Sequence, residues 1–107
     1  SFSDFDKLDI RVGEIKTVTD IVESDKMVEF LVDFGDHTRT ILVGMKKERE
    51  IIKEVEGKQA LFVVNLPEKE MFGRKSQGML FDIGYSNGIT PVLATTEKLV
   101  PNGVSAG

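Results

Sequence analysis

Within residues 66–79, LPEKEMFGRKSQGM, the cations Lys69, Arg74 and Lys75 stand close to Ser76, Gln77 and Met79. Together these offer charge for phosphate, a hydroxyl and an amide for base edges, and a soft apolar side chain against which a base can lie. This is the chemistry of a site for single-stranded nucleic acid. The same composition also describes a polar connection between two buried strands, with Pro67, Gly73 and Gly78 setting the turns. The adjacent Met71 and Phe72 predict that at least one side chain packs back on the body and fixes the loop's shape.

Catalytic chemistry finds little support. The chain has no cysteine, which removes disulfides, thiolate zinc sites and cysteine nucleophiles. His37 is the single histidine and falls in a predicted turn, where it reads as a solvated residue. Asp4, Asp6 and Asp9 suit the positive end of a helix dipole and lack the looped spacing of a calcium site. The FGRKSQG stretch does not follow a strand and open a helix, so it is no phosphate loop, and Ser76 has no histidine near it in sequence. No enzyme activity, metal or cofactor is expected.

Net charge is −4, which by itself argues against a polyanionic partner. The charge is segregated, however. Residues 37–53 carry Arg39, Lys46, Lys47, Arg49 and Lys53 against Glu48 and Glu50, and residues 69–75 carry Lys69, Arg74 and Lys75 against Glu70. If these two positive segments share a face, an acidic chain still presents a basic patch. At 107 residues, 40% apolar and 30% charged, residues 1–107 read as one globular domain. No apolar run approaches the roughly 20 residues that span a bilayer, and SFSDFDKLDI lacks the basic-then-apolar pattern of a signal peptide. A cytoplasmic location without membrane contact is expected. Ser1 in place of methionine fits either a processed start or an excised fragment.

The elements that must position these groups follow from periodicity. Ser3 is a candidate N-cap for a short helical turn with Phe2, Phe5 and Leu8 at helical spacing. Alternation from Ile10 predicts a long strand over residues 10–22, with Gly13 marking a bulge or bend. Residues 27–44 predict a hairpin turning at Gly35–His37. KKEREIIKEVEG predicts a helix ending at Gly57, with Lys46, Lys47 and Arg49 on a solvated face. QALFVVNL predicts a strand buried on both faces, and GMLFDIG and ITPVLAT predict two more, joined by a tight turn at Asn87-Gly88, with Pro91 favouring an edge. Strands, one helix, then strands without βαβ alternation indicate a small, partly open antiparallel barrel.

LDIRVGEI at 8–15, SDKM at 24–27, VDFGDHTRTILVG at 32–44, VEGKQALFVVNLPEKEMFGRKSQGML at 55–80 and VPNG at 100–103 resemble, in that order, the tRNA-binding domain family. That family includes C-terminal domains of some methionyl-tRNA synthetases, free-standing tRNA-binding proteins and the export chaperone CsaA. The resemblance implies an all-β, five-stranded OB-fold Greek-key barrel with a short central helix, a short N-terminal helical turn and a C-terminal extension. By motif, it places RNA-facing positions at Arg11, Lys26, Asn65, Lys69, Ser76, Gln77 and Met79; Arg39 and Arg74 join them from charge and position. DFG, VVNLP and VPNG look like CsaA, whereas the intact SQGM looks like the tRNA-binding members.

The expected partner is therefore tRNA, with association with an aminoacyl-tRNA synthetase implied by the family. The alternative is a chaperone that binds unfolded preproteins through apolar pockets, in which Met71, Phe72, Met79 and Phe81 would matter more than the cations. A homodimer is expected in either case. Its interface is assigned to Phe2, Phe5, Leu99, Val100 and Pro101, because apolar residues stand at both ends of the chain where a monomer gains little from them.

Overall fold

The computed structural model describes residues 1–107. A helical turn α1 (Phe2–Phe5) precedes strands β1 (Ile10–Asp20), β2 (Val28–Asp33), β3 (Thr38–Val43) and β4 (Gln59–Val63). Then come β5 (Lys69–Met71), β6 (Arg74–Ser76), β7 (Met79–Leu80), β8 (Asp82–Ile83) and β9 (Val92–Leu93). One antiparallel sheet runs in the order β3-β2-β1-β4-β7, and β5-β6 and β8-β9 form two short ribbons. The five-stranded sheet curls into a nearly closed barrel around Ile15, Phe30, Val32, Ile41, Met45 and Phe62, as the sequence predicts for an OB-like fold. No helix is long and apolar enough to cross a membrane.

Strand β1 is the longest and serves two neighbourhoods. Its first half pairs with β4, Ile10 opposite Val63 through Glu14 opposite Gln59, and its second half pairs with β2, Val18 opposite Phe30. The register shifts between Ile15 and Thr17, so the bulge lies past Gly13, not at it. Gly13 answers a different demand. A Cβ there would overlap Val32 Cγ1 and stand 2.8 Å from Phe34 Cε1, so the backbone can approach the core only without a side chain.

The C-terminal segment covers the edge of β1 that β2 leaves bare. Val12 N donates to Val104 O at 2.9 Å, Gly103 N to Val12 O at 2.7 Å and Ala106 N to Ile10 O at 2.8 Å. Its docking explains two sequence motifs together. Gly35 of DFG and Gly103 of VPNG both have positive φ; a Cβ on Gly35 would lie 2.6 Å from Asn102 O, and one on Gly103 would overlap Phe34 O. The buried Gln59 amide fastens the same segment: Nε2 donates to Val100 O at 2.6 Å and Asn102 Oδ1 at 2.8 Å, while Oε1 accepts from Val100 N at 3.2 Å. Asn102 in turn donates to Glu14 Oε1 at 3.0 Å, and that bond holds the Glu14 carboxyl below its usual value.

Four local expectations are corrected. The helix expected over 46–57 is a four-residue 3-10 helix, Ile52–Val55, because Lys46 bends inward: its Nζ donates to Ile21 O at 2.7 Å and Ser24 O at 2.6 Å and pairs with Asp20 at 2.7 Å. Lys46 is thus no solvated-face residue. The connection 66–79 contains the β5-β6 hairpin, whose two-residue turn has Phe72 at φ 55° and Gly73 at φ 69°, the left-handed pair of a type I′ turn. Asn87-Gly88, expected to form such a turn, lies in and after a 3-10 helix, Tyr85–Asn87. The cap of α1 is Ser1, not Ser3.

Between β3 and the 3-10 helix, the Glu48 and Asp82 carboxylates share a cleft with Lys26, Lys47 and Tyr85. Glu48 Oε2 and Asp82 Oδ1 are buried without a hydrogen-bond partner. Burial raises both carboxyls, and Asp82 raises Glu48 further by repulsion.

Two outcomes follow from this packing. Gly13→Ala is expected to lower unfolding free energy by about 2 kcal/mol, roughly 10 °C in Tm, because Val32 and Phe34 have no free volume to yield; calorimetry checks it. For Glu48, the folded pKa lies above the unfolded one, so its contribution is favourable at acid pH and is lost as pH rises through the folded value. Glu48→Gln should therefore melt above the parent chain at pH 7, with the gap closing toward pH 4; a parent equally stable at pH 7 contradicts this.

Candidate nucleic-acid interface

In OB barrels the face of the second and third strands, flanked by the first-to-second and fourth-to-fifth strand loops, takes oligonucleotides. Here those loops are residues 21–27 and the 64–78 segment that ends at β7. The first is shaped by Ser24, whose buried Oγ accepts from Lys26 N at 3.2 Å and Met27 N at 2.9 Å. Together with Lys46 from outside, this turn holds Lys26 outward. The second projects as the β5-β6 hairpin beside β3.

The seam between β3 and residues 75–78 is stitched largely by side chains. Leu42 N donates to Ser76 Oγ at 3.0 Å, Thr40 N to Gln77 Oε1 at 3.1 Å, and Thr40 Oγ1 to Lys75 O at 3.0 Å; one backbone bond, Gln77 N to Thr40 O at 2.8 Å, completes it. Ser76 is only 5% exposed, and its hydroxyl faces the seam. Gly78, at φ 152°, brings the chain back where a Cβ would lie 2.9 Å from Val63 O. Arg39 closes the end: Nη1 donates to Val64 O at 2.7 Å and Gln77 O at 3.1 Å, and the guanidinium lies over the Phe34 ring at 5.8 Å. Arg39 Nε also donates to His37 Nε2 at 3.0 Å, so the His37 proton sits on Nδ1 and is given to Asp36. That bond holds the Asp36 carboxyl below its usual value.

Beside the seam lies a groove of about 270 Å³ lined by Leu66, Pro67, Lys69, Met71, Ser76 and Met79. It gathers Lys69, Ser76 and Met79, with Gln77 and Arg39 at the adjoining seam. Arg74 reaches across β3 to Glu29 at 3.1 Å. Arg11 and Asn65 line a separate depression: Arg11 Nε pairs with Asp9 at 3.0 Å, which raises its already high pKa. Asn65 Oδ1 accepts from Asp9 N at 2.8 Å and Nδ2 donates to Lys7 O, tying α1 to the barrel. Lys26 stands in the third place, the cleft with Lys47 and Tyr85.

The cations divide sharply by partner. Arg11, Arg74 and Lys75 are ion-paired, whereas Lys26, Arg39, Lys47 and Lys69 have no carboxylate within 4.0 Å. Two exposed residues, Phe72 of the chaperone alternative and Lys47 of the expected solvated face, gain a definite place. Phe72 sits at the hairpin tip, 47% exposed, held outward by its left-handed backbone; Lys47 stands beside Lys26. The tip position of Phe72 has no sequence signal, because a bulky residue rarely takes positive φ.

Comparison with known proteins agrees with this geometry. A family model for a tRNA binding domain matches residues 10–105. The methionine–tRNA ligase of Streptococcus pneumoniae is 41% identical over 99% of this chain, which spans 16% of that protein; that of Methanobrevibacter smithii is 40% identical over 80% of the chain and 13% of its own length. Among solved structures, the MetRS-related protein from Pyrococcus horikoshii superposes with TM-score 0.90 at 34% identity, covering 100% of this chain and 96% of that one. The chaperone CsaA from Bacillus anthracis superposes with TM-score 0.86 at 26% identity, covering 100% and 97%. The barrel, the ordered motifs and these relatives agree, and the chain belongs to the tRNA-binding domain family.

Proposed function

We propose that this domain binds tRNA without catalysis, through the face bounded by the 21–27 loop and the β5-β6 hairpin. The observation that carries the reading is that Lys26 and Lys69, one on each flanking loop, stand free of carboxylates while most other cations are neutralised locally. Free ammonium groups exchange counterions for phosphate at little cost; a cation already held by a carboxylate must break that pair first. On the hairpin side, Met79 lines the groove with Lys69 and Phe72 stands exposed at the tip, both offering apolar faces on which unstacked bases can lie. Arg39, Ser76 and Gln77 support this face by holding the seam, and Arg11 and Asn65 by seating α1 and the C-terminal segment. The domain acts in the cytoplasm, as an appended or associated part of a methionyl-tRNA synthetase.

A second reading is favoured by the apolar lining of the 270 Å³ groove and by the similarity to a chaperone: Leu66, Pro67, Met71 and Met79 would take an apolar segment of an unfolded preprotein. In both readings the chain works as a homodimer. Phe2 is 89% exposed and Leu99 83%, and Phe5 and Pro101 are also exposed, while Val100 anchors its segment on Gln59. Two such uncovered apolar surfaces on one small domain favour a partner copy.

Titration with tRNA across a salt series tests the first reading. Lys69→Ala should lower the log-log salt slope by about 0.7, one phosphate contact, and Arg74→Ala by less, because Arg74 is held by Glu29. Unchanged binding in both variants refutes RNA binding at this face. Preprotein binding that persists at high salt and is lost in a Met71→Ala, Met79→Ala variant instead selects the chaperone reading. Sedimentation at micromolar concentration should give twice the monomer mass of 11.9 kDa, and the monomer mass refutes the dimer.

A further inference from the structure

A cleft of about 430 Å³, room for one nucleobase, opens between the 21–27 loop and the turn that follows β8. Lys26, Lys47 and Tyr85 line it; neither lysine has a carboxylate within 4.0 Å, and Tyr85 is 77% exposed. One short bridge sets both cations: Lys46 N donates to Lys26 O at 2.9 Å, while the Lys46 ammonium is turned inward onto Ile21 O and Ser24 O. The ring is set as firmly. Tyr85 opens the 3-10 turn Tyr85–Asn87, which Gly84 at φ 105° and Gly88 at φ 72° bracket, and Asn87 N and Ile89 N both donate to Gly84 O, at 3.0 and 3.1 Å. An exposed ring on so tight a turn adds nothing to the core, but it is ready-made as a platform on which a base can stack.

The floor of the cleft is acidic and supplies acceptors. Glu48 and Asp82 line it, and no hydrogen bond or ion pair reaches either carboxyl. Arg49 is near both, but its Nη1 is held by Glu54 at 2.7 Å. Burial raises both carboxyls, which moderates the negative charge set against an incoming phosphate. Leu42 lines the 270 Å³ groove, and Gly44, two positions on, lines this cleft. The two residues therefore lie on one side of the chain about 7 Å apart, the span of about two stacked nucleotides. Resting on the tRNA-binding reading above, we propose that the cleft is a nucleotide subsite on the same face: one unpaired base stacks on Tyr85 with its edge toward Glu48 and Asp82, and Lys26 and Lys47 take the phosphates beside it. Guanine suits this floor best, because its Watson–Crick edge offers two adjacent N–H donors where uracil offers one.

Tyr85 is the single tyrosine of the chain, so fluorotyrosine labelling places one fluorine NMR resonance at this site and nowhere else. Bound tRNA should shift that resonance, and the trinucleotide UGU should do so at a concentration about fivefold below UUU, the worth of one added hydrogen bond. Tyr85→Ala, at an exposed position, should weaken tRNA binding about tenfold with Tm unchanged. Lys47→Ala should lower the log-log salt slope by about 0.7. A resonance unmoved by saturating tRNA, with Tyr85→Ala binding like the parent while Lys69→Ala binds less, overturns the subsite and leaves the tRNA-binding face standing. A parent that binds no tRNA overturns both. A resonance shifted by an unfolded preprotein but not by tRNA makes the cleft a peptide contact and also overturns the subsite. If UGU and UUU titrate alike, the assignment of the acidic floor to the base edge is overturned.

Discussion

Everything in this barrel hangs on the backbone of β1 being shared among more partners than one strand ordinarily has. β4 and the C-terminal segment flank its first half, β2 its second, and Ile15 N and O reach the turn that precedes β4, donating to Lys58 O and accepting from Gly57 N. A strand flanked on both edges can press close to the core only where no side chain intervenes. Gly13 supplies that emptiness against Val32 and Phe34. The Gln59 amide then sets where the C-terminal segment lies, because a buried amide left without partners would be costly. Position of the outer elements is thus a consequence of one strand's geometry.

The barrel's second closure has a different character. Where β3 meets residues 75–78, a hydroxyl and a side-chain amide stand in for a strand's backbone, so the segment that closes the barrel also carries the candidate binding loop. This arrangement keeps the β5-β6 hairpin short and rigidly registered while its tip stays free. It also sorts the chemistry of residues 66–79: Ser76 and Gln77 face inward and hold the loop, whereas Lys69, Phe72 and Met79 face outward. Residues of one motif therefore act at two removes from a ligand.

The four long strands and their antiparallel order were legible because alternation and β-branched runs directly report one-sided or two-sided burial. The 46–57 segment was not. Its apolar residues do recur at helical spacing, but Lys46 is drawn to the carbonyls of Ile21 and Ser24, a tertiary contact that no local pattern announces. The hairpin turn was misplaced for a similar reason: Asn87-Gly88 has the composition of a tight turn, whereas Phe72-Gly73 has the conformation. Of the site, the positive segments and the outer loop were visible as composition. Their pairing was not, since whether Arg74 meets Glu29 or solvent depends on a cross-barrel distance. DFG and VPNG illustrate the opposite case, two separate motifs whose glycines become intelligible once their backbones are seen against each other.

The C-terminal segment has a consequence for how the chain reaches this structure. β1 precedes the other strands of the barrel, yet part of its edge is satisfied only by residues 103–106, some ninety positions later. Contacts so distant in sequence delay closure, and until it occurs the strand offers unpaired N–H and C=O groups to any neighbour. During synthesis the growing barrel therefore passes through a stage in which its oldest strand is its most adhesive one. Residues 103–106 act as a seal on β1, so the exposed edge is protected only once both ends of the barrel domain are present.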